Sequence, residues 1–139
     1  MIVLDTNIVS ETMRPRPAHR VMDWLDRQTP SELFVTSVSV GEIFFGLECL
    51  NEGSRKLDLQ ARFQRFLERG FDGRILGYSA RSARQYGRVM ARRRSTGRPL
   101  AAPDGQIAAI CITHGARIAT RNTRDFEHCG IPITNPFEV

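Results

Sequence analysis

Four acidic residues stand where they could share one chemical task. Asp5 directly follows an apolar run, and Glu42 interrupts a second apolar run. Asp104 lies in the first turn of a predicted helix, and Asp125 comes shortly after a predicted strand. Carboxylates that converge repel one another, so such a group needs a cation. Because no histidine or cysteine accompanies these oxygens, the set favours Mg²⁺ or Mn²⁺ over zinc.

Each acid also has an ordinary structural interpretation. Asp5 can cap the helix that follows it, and Asp125 can be a turn residue. The helix dipole favours an acid in a first turn, as at Asp104. Glu42 is the exception, because a lone charge in an apolar stretch is costly unless it meets a partner. A shared site is indicated by the position of all four at one predicted edge of a sheet.

Short strands alternate with helices along the whole chain. The predicted strands cover 1–4, 33–36, 74–78, 117–120 and 131–134. Helices are predicted between them, including one capped by Ser37 or Ser39 and one that begins near Pro103 and ends at Gly115. Such alternation predicts a three-layer α/β/α domain with a parallel central sheet, here a single domain over 1–139. Ligands of such sheets bind at the carboxyl ends of the strands.

The composition limits the class of protein. The 139 residues include 20 Lys and Arg against 15 Asp and Glu, a net charge of +5, and the only lysine is Lys56. No apolar run reaches the roughly 18 residues that a membrane helix needs. The first residues carry an acid where a signal peptide would be apolar, and three widely spaced cysteines suit reduced thiols. We therefore expect a cytoplasmic protein without a membrane segment.

The densest basic segment runs from Arg81 to Arg98. Within it, four arginines recur at steps of three and four residues and should share one face of a helix, namely Arg81, Arg84, Arg88 and Arg92. Arg93, Arg94 and Arg98 add to the positive charge of the segment. One interpretation is a track for the phosphates of a nucleic acid. The other is a solvated helix face paired with acids elsewhere.

Five short motifs stand out along the chain, namely IVLDTN at 2–7, SVGE at 39–42, AAPDGQIAA at 101–109, ATRNTRDF at 119–126 and ITNPF at 133–137. Together they resemble the PIN domain, and their order is similar to that of the VapC and FitB toxins of bacterial type II toxin–antitoxin modules. The first and third motifs are the specific ones. The resemblance covers essentially the whole chain.

The resemblance implies an endoribonuclease that depends on Mg²⁺ or Mn²⁺, with Asp5, Glu42 and Asp104 as metal-binding catalytic acids. In some members a fourth acid directly follows the Thr–Arg pair, where this chain has Asn122; Asp125 is the nearby alternative. Thr6 and Asn7 are candidates for orienting these acids, together with Asn122 if it does not itself fill the fourth position. The implied partners are an RNA substrate, a second copy of the chain and an antitoxin that also binds operator DNA.

Three other functions remain open from the residues alone. A phosphatase of the haloacid-dehalogenase type needs an acid two residues after its nucleophile, where this chain has Asn7. A receiver-like signalling domain needs paired acids at the first strand and a suitable lysine, and Lys56 is the only one. A PIN-like module that binds nucleic acid or a partner without metal is compatible with Asn122. The intact acids Asp5, Glu42 and Asp104 oppose it.

Overall fold

The computed structural model describes residues 1–139 as five strands and six helices. The strands are β1 (Ile2–Leu4), β2 (Leu33–Thr36), β3 (Ile75–Leu76), β4 (Arg117–Ala119) and β5 (Ile133–Thr134). The helices are α1 (Thr6–Thr12), α2 (His19–Asp26), α3 (Ser37–Glu48), α4 (Ser54–Gly70), α5 (Ala80–Ser95) and α6 (Ala102–His114). Two 3₁₀ turns occupy Pro30–Glu32 and Thr123–Asp125.

All five strands are parallel and lie in the order β3-β2-β1-β4-β5. The first strand is therefore central. In its register, Ile2 lies opposite Leu33 on one side, and Leu4 lies opposite Ala119 on the other. The chain runs outward from β1 in one direction and then returns to add β4 and β5 on the other side. The reversal between β1 and β4 opens a crevice at their carboxyl ends, where ligands bind in such sheets.

Each face of the sheet is covered by its own apolar core. Leu4 joins the core formed with helices α1 to α4, whereas Val3 joins the core formed with α5 and α6. Neighbouring strand residues point to opposite faces, so Val3 and Leu4 are buried in different cores. Phe63 and Ile107 are fully buried representatives of the two cores. The predicted α/β/α arrangement with a parallel sheet is confirmed.

Local signals placed most helix ends correctly. Ser79 caps α5 by accepting a hydrogen bond from the backbone N–H of Ser82, and Gly115 closes α6 at a positive φ of 62°. The predicted cap of α3 at Ser37 or Ser39 is wrong, because the buried Thr36 hydroxyl accepts the N–H of Ser39. Strand residue Thr36 therefore starts the helix directly, without a loop.

The edge strands are shorter than predicted. Only Ile75–Leu76 and Ile133–Thr134 pair, where the apolar runs suggested four or five residues each. An edge strand hydrogen-bonds on one side only, so fewer of its residues meet a partner. None of the six helices combines the length and apolar composition needed to cross a membrane.

Candidate active site at the carboxyl edge of the sheet

Asp5 is held firmly at the end of the central strand. Its side chain is 4% exposed and caps α1, with Oδ1 accepting the N–H of Thr6 at 2.8 Å. Oδ2 accepts the hydroxyl of Thr120 at 2.7 Å and the amide of Asn7 at 3.2 Å. Burial raises the pKa of Asp5, as do the charges of Glu42 and Asp125, although the hydrogen bonds from Thr120 and Thr6 oppose this.

Asp104 enters the same region from the first turn of α6. The helix packs closely against α5 at this point, since a Cβ on Gly105 would lie 2.5 Å from the sulfur of Met90. Unlike Asp5, the half-buried Asp104 carboxyl is influenced by burial and by charges only, and it accepts no hydrogen bond from the protein. Burial, followed by the charges of Asp125 and Asp5, raises its pKa to about 6. The protein thus leaves this carboxylate unpaired.

Glu42 reaches the site from α3. Its Oε1 accepts a hydrogen bond from the Thr6 hydroxyl at 3.0 Å, which ties it to the residue that follows Asp5. Glu42 interrupts an apolar stretch of the sequence, as expected. Its side chain is nevertheless exposed, so its charge does not carry the cost of burial that the sequence suggested. The apolar neighbours in sequence point elsewhere around the helix, and Ile43 and Leu47 fill the core.

Asp125, rather than Asn122, acts on the other acids. Asp125 closes the 3₁₀ turn after β4, and its charge raises the pKa of both Asp5 and Asp104. The side chain of Asn122 is exposed and makes no hydrogen bond. Its backbone N–H donates to the Thr120 hydroxyl, and its carbonyl accepts the N–H of Asp125. Of the two sequence candidates for the fourth position, the structure therefore brings Asp125 into electrostatic contact with the site.

The four acids form an open arrangement. Nowhere in the chain do three or more His, Cys, Asp or Glu side chains form a ready-made metal cage. The carboxylates nevertheless lie close enough to disfavour one another's charge, because Glu42 and Asp125 both contribute to the raised pKa values of Asp5 and Asp104. The region therefore concentrates negative charge without a compensating ion pair.

Arg93 is a site residue that the sequence did not reveal. The sequence shows it only as part of the densest basic segment, yet it is only 4% exposed. Its Nε donates to the carbonyl of Arg98 at 2.6 Å, and its Nη1 donates to the carbonyls of Arg124 at 3.2 Å and Glu127 at 2.6 Å. Arg93 thus fastens the segment that carries Asp125 onto α5. Its charge also opposes the rise in the pKa of Asp104.

The arginine stripe of α5 occupies one exposed side of the helix, as the spacing predicted, and comprises Arg81, Arg84, Arg88 and Arg92. None of the four forms an ion pair; the arginine ion pairs of the chain involve Arg14 and Arg98 instead. Of the alternative, a solvated face paired with acids elsewhere, the pairing is therefore absent within this chain, and the solvated face stays open. Its contact with RNA stays a prediction.

The raised pKa of Asp104 predicts that removing its charge stabilises the protein. In the folded state, Asp104 has a pKa of about 6, against an ordinary value of 3.8. Its contribution to the free energy of unfolding should therefore fall as pH rises from about 4 to about 6. In EDTA at pH 7.5, Asp104→Asn should raise the free energy of unfolding by about 1–2 kcal/mol, since partial exposure screens part of the shift. Urea unfolding measures this. A gain that persists at pH 4, or an equal gain in exposed Asp72→Asn, would contradict it.

Comparison with known proteins identifies the fold. A family profile described as "PIN domain" matches residues 2–131. The chain is similar to VapC ribonuclease Y4jK of Sinorhizobium fredii, 36% identical over 138 residues, with 99% of each chain covered. It is also similar to toxin FitB of Neisseria gonorrhoeae, 34% identical over 137 residues, again covering 99% of each.

The solved structure of FitAB bound to an IR36 DNA fragment superimposes on this chain with a TM-score of 0.94 at 34% identity. The match covers 100% of this chain and 97% of that one. The resemblance carried by five short motifs is therefore matched over the whole length in three dimensions. The chain belongs to the PIN domain family.

Proposed function

We propose that this protein is an endoribonuclease toxin of a type II toxin–antitoxin module, dependent on Mg²⁺ or Mn²⁺ and acting in the cytoplasm. One observation carries the proposal. Acids from distant parts of the chain meet at the carboxyl edge of β1 and β4, and Asp104 accepts no hydrogen bond from the protein. The similar proteins named as a ribonuclease and a toxin support the choice of reaction.

The donor chemistry fits a hard divalent cation. Asp5 and Asp104 would hold the ion, and Glu42 would complete or orient its surroundings. The open arrangement suits Mg²⁺, which binds through one or two carboxylates and keeps several waters. When bound, such an ion activates water as a nucleophile and neutralises charge on the phosphate under attack.

The surrounding residues would keep the acids in place during the reaction. Thr120 and Asn7 fix the Asp5 carboxylate through Oδ2, so its orientation does not depend on solvent. The Thr6 hydroxyl links Asp5's neighbour to Glu42. Asn122 would have a peripheral role only, since its exposed side chain makes no hydrogen bond to any of the acids. Pre-set positions of this kind lower the reorganisation cost of catalysis.

The arginine stripe would bind RNA phosphates beside the acids. The carboxyl end of α5 leads within a few residues to the start of α6, so Arg92 lies at the end of the stripe nearer Asp104. Four unpaired guanidiniums in a row attract a polyanion and release its counterions on binding.

Charge reversal tests the arginine stripe. Arg88→Glu with Arg92→Glu should weaken binding of single-stranded RNA and reduce the slope of log affinity against log salt by about 1.4, two phosphate contacts at roughly 0.7 each. Filter binding at several salt concentrations measures both quantities. The matched control is Arg65→Glu with Arg69→Glu, two exposed arginines of α4 at the same spacing. Equal losses in both pairs would show a general charge effect and remove the track.

An antitoxin would bind in the groove beside Glu42. A cavity of about 800 Å³ lies between α1, α3 and α4, and its lining combines apolar Ile43 and Leu47 with basic Arg55 and Arg62. Such a lining suits an amphipathic peptide with acidic groups. The structure of FitAB bound to an IR36 DNA fragment supports the proposal that this protein and its antitoxin form a complex that binds operator DNA.

The decisive experiment is cleavage of RNA by purified protein. End-labelled RNA should be cut in Mg²⁺ or Mn²⁺, stay intact in EDTA, and be cut again when the metal is restored. The same assay on Asp5→Asn separates the enzyme from the metal-free binding module, which would bind RNA equally well in both proteins and cut in neither.

A further inference from the structure

The backbone of Arg121 lies close to Asp5, whereas its side chain pairs with none of the acids. It directly follows Thr120, whose hydroxyl holds Asp5, and its own backbone N–H donates to Oδ1 of Asn7 at 3.1 Å. Asn7 in turn donates to Asp5. Two residues therefore link the backbone of Arg121 to the Asp5 carboxylate. They are Thr120, which precedes Arg121 in the chain, and Asn7, which accepts the N–H of Arg121.

The side chain of Arg121 is held by an aromatic ring instead of an acid. Its guanidinium carbon lies 4.5 Å from the centre of the Phe137 ring. A cation over an aromatic face is attracted by the ring quadrupole and keeps its hydrogen-bond donors available at the edges. The side chain is exposed and forms no ion pair with any carboxylate.

Phe137 is a rigid support for that guanidinium. Its ring packs against the core formed with α1 to α4, and its backbone N–H donates to the side chain of Asn135 at 3.0 Å. A stacked arginine loses little further side-chain freedom on binding a ligand, because its position is already set. This distinguishes Arg121 from the long, unsupported side chains of the arginine stripe.

The charge of Arg121 does not neutralise the site. Among the groups that shift the pKa of Asp104, the only arginine is Arg93, and none shifts that of Asp5. A guanidinium carried by the residue that follows Thr120, stacked on Phe137 and not paired with the acids, meets the needs of a substrate that carries several negative charges. One phosphate of such a substrate must approach the acids while a neighbouring phosphate needs its own cation.

We propose that Arg121, stacked on Phe137, binds a backbone phosphate of RNA next to the one that is cut. This inference rests on the proposed ribonuclease function and adds a substrate-binding residue to it. The planar guanidinium can donate two parallel hydrogen bonds to one phosphate, which sets the register of the strand over the acids.

Arg117 provides a matched control on the same strand. It stands at the start of β4, at the amino edge of the sheet, whereas Arg121 follows the end of β4 at the carboxyl edge. Both side chains are exposed, and neither forms an ion pair. Replacing each by alanine removes the same charge from opposite edges of one sheet.

The test measures RNA binding and cleavage separately. Binding of a short labelled single-stranded RNA is followed in the Asp5→Asn background, with Mg²⁺ present, at several salt concentrations. We expect Arg121→Ala to weaken binding about tenfold and to lower the salt slope by about 0.7, the loss of one phosphate contact, and Arg117→Ala to change neither. In the native background, Arg121→Ala should raise KM for cleavage about tenfold and leave kcat within about twofold.

Two further variants separate binding from structure. Phe137→Leu removes the aromatic face and should raise KM by a smaller factor, and Arg121→Lys should restore the salt slope but only part of the affinity. If Arg121 merely fastened the end of the chain, Arg121→Ala would lower the melting temperature with an unchanged salt slope, which overturns the proposal. Equal slopes for Arg121→Ala and Arg117→Ala also overturn it. Absence of cleavage by the native protein would refute the ribonuclease function, while the binding comparison still decides the role of Arg121.

Discussion

Asp5→Asn should abolish RNA cleavage and leave the fold intact. Changing a group that only supports a metal ligand typically costs about 10- to 100-fold, so loss of a carboxylate that would hold the metal itself should cost more than about 100-fold. The fold should survive because asparagine keeps an oxygen that can accept the N–H of Thr6 and so preserve the cap of α1. Cleavage rates in Mg²⁺ and in Mn²⁺ measure the effect.

The stability of the same variant provides a second readout. The raised pKa of Asp5 means that its charge is disfavoured in the folded state. Removing the charge therefore offsets the loss of the hydrogen bonds that Oδ2 accepts from Thr120 and Asn7. We expect the free energy of unfolding to change by less than about 1 kcal/mol. Asp23→Asn, an exposed acid on α2, is the control and should cleave normally. Undiminished cleavage by folded Asp5→Asn would refute the proposed mechanism.

Arg93→Met should cause the largest loss of stability among these variants. Methionine fills much of the same space but donates nothing, so the carbonyls of Arg98, Arg124 and Glu127 lose their partner. Losing hydrogen bonds from a buried charged group that serves several acceptors should cost about 2–4 kcal/mol. Urea midpoints measure the change, provided that the slope of the transition stays constant.

The adjacent residue makes a sharp control for Arg93. Arg94 carries the same charge one position along α5 but is exposed, so Arg94→Met should shift the urea midpoint very little. At urea concentrations below the unfolding transition, Arg93→Met should also cleave RNA slowly, because the turn that carries Asp125 is no longer fastened to α5. Amide exchange at 124–127 should quicken with it. Identical midpoints for Arg93→Met and Arg94→Met would contradict the assigned role.

The predictable part of this protein is what local chemistry determines. The alternation of strands and helices predicted the three layers. Asp5 falls at the carboxyl edge because it follows β1, and Asp104 because it lies in the first turn of α6. The glycine that ends α6 and the serine that caps α5 act through their own neighbours, so they were visible in the sequence.

The part that escaped prediction depends on distant partners. Arg93 looks like its neighbours in the chain, and only the return of residues 124–127 to α5 gives it carbonyls to bind. Asp125 and Asn122 were equally plausible because a turn, not a regular element, decides which side chain faces the acids. Lengths of edge strands depend on pairing that the strand itself does not encode.

The central position of β1 in the sheet sets the order in which parts of the protein can fold during translation. β1 leaves the ribosome long before β4, one of its two neighbours in the sheet, so its pairing on that side must wait for β4, and Asp5 must wait for Thr120. Helices α1 to α4 can form early from local contacts, whereas pairing across such a separation comes late. A nascent chain that ends before β4 therefore lacks both Thr120 and Asp125. If the protein cuts RNA, it gains that ability only after these two residues have been made, and shorter products should be inactive.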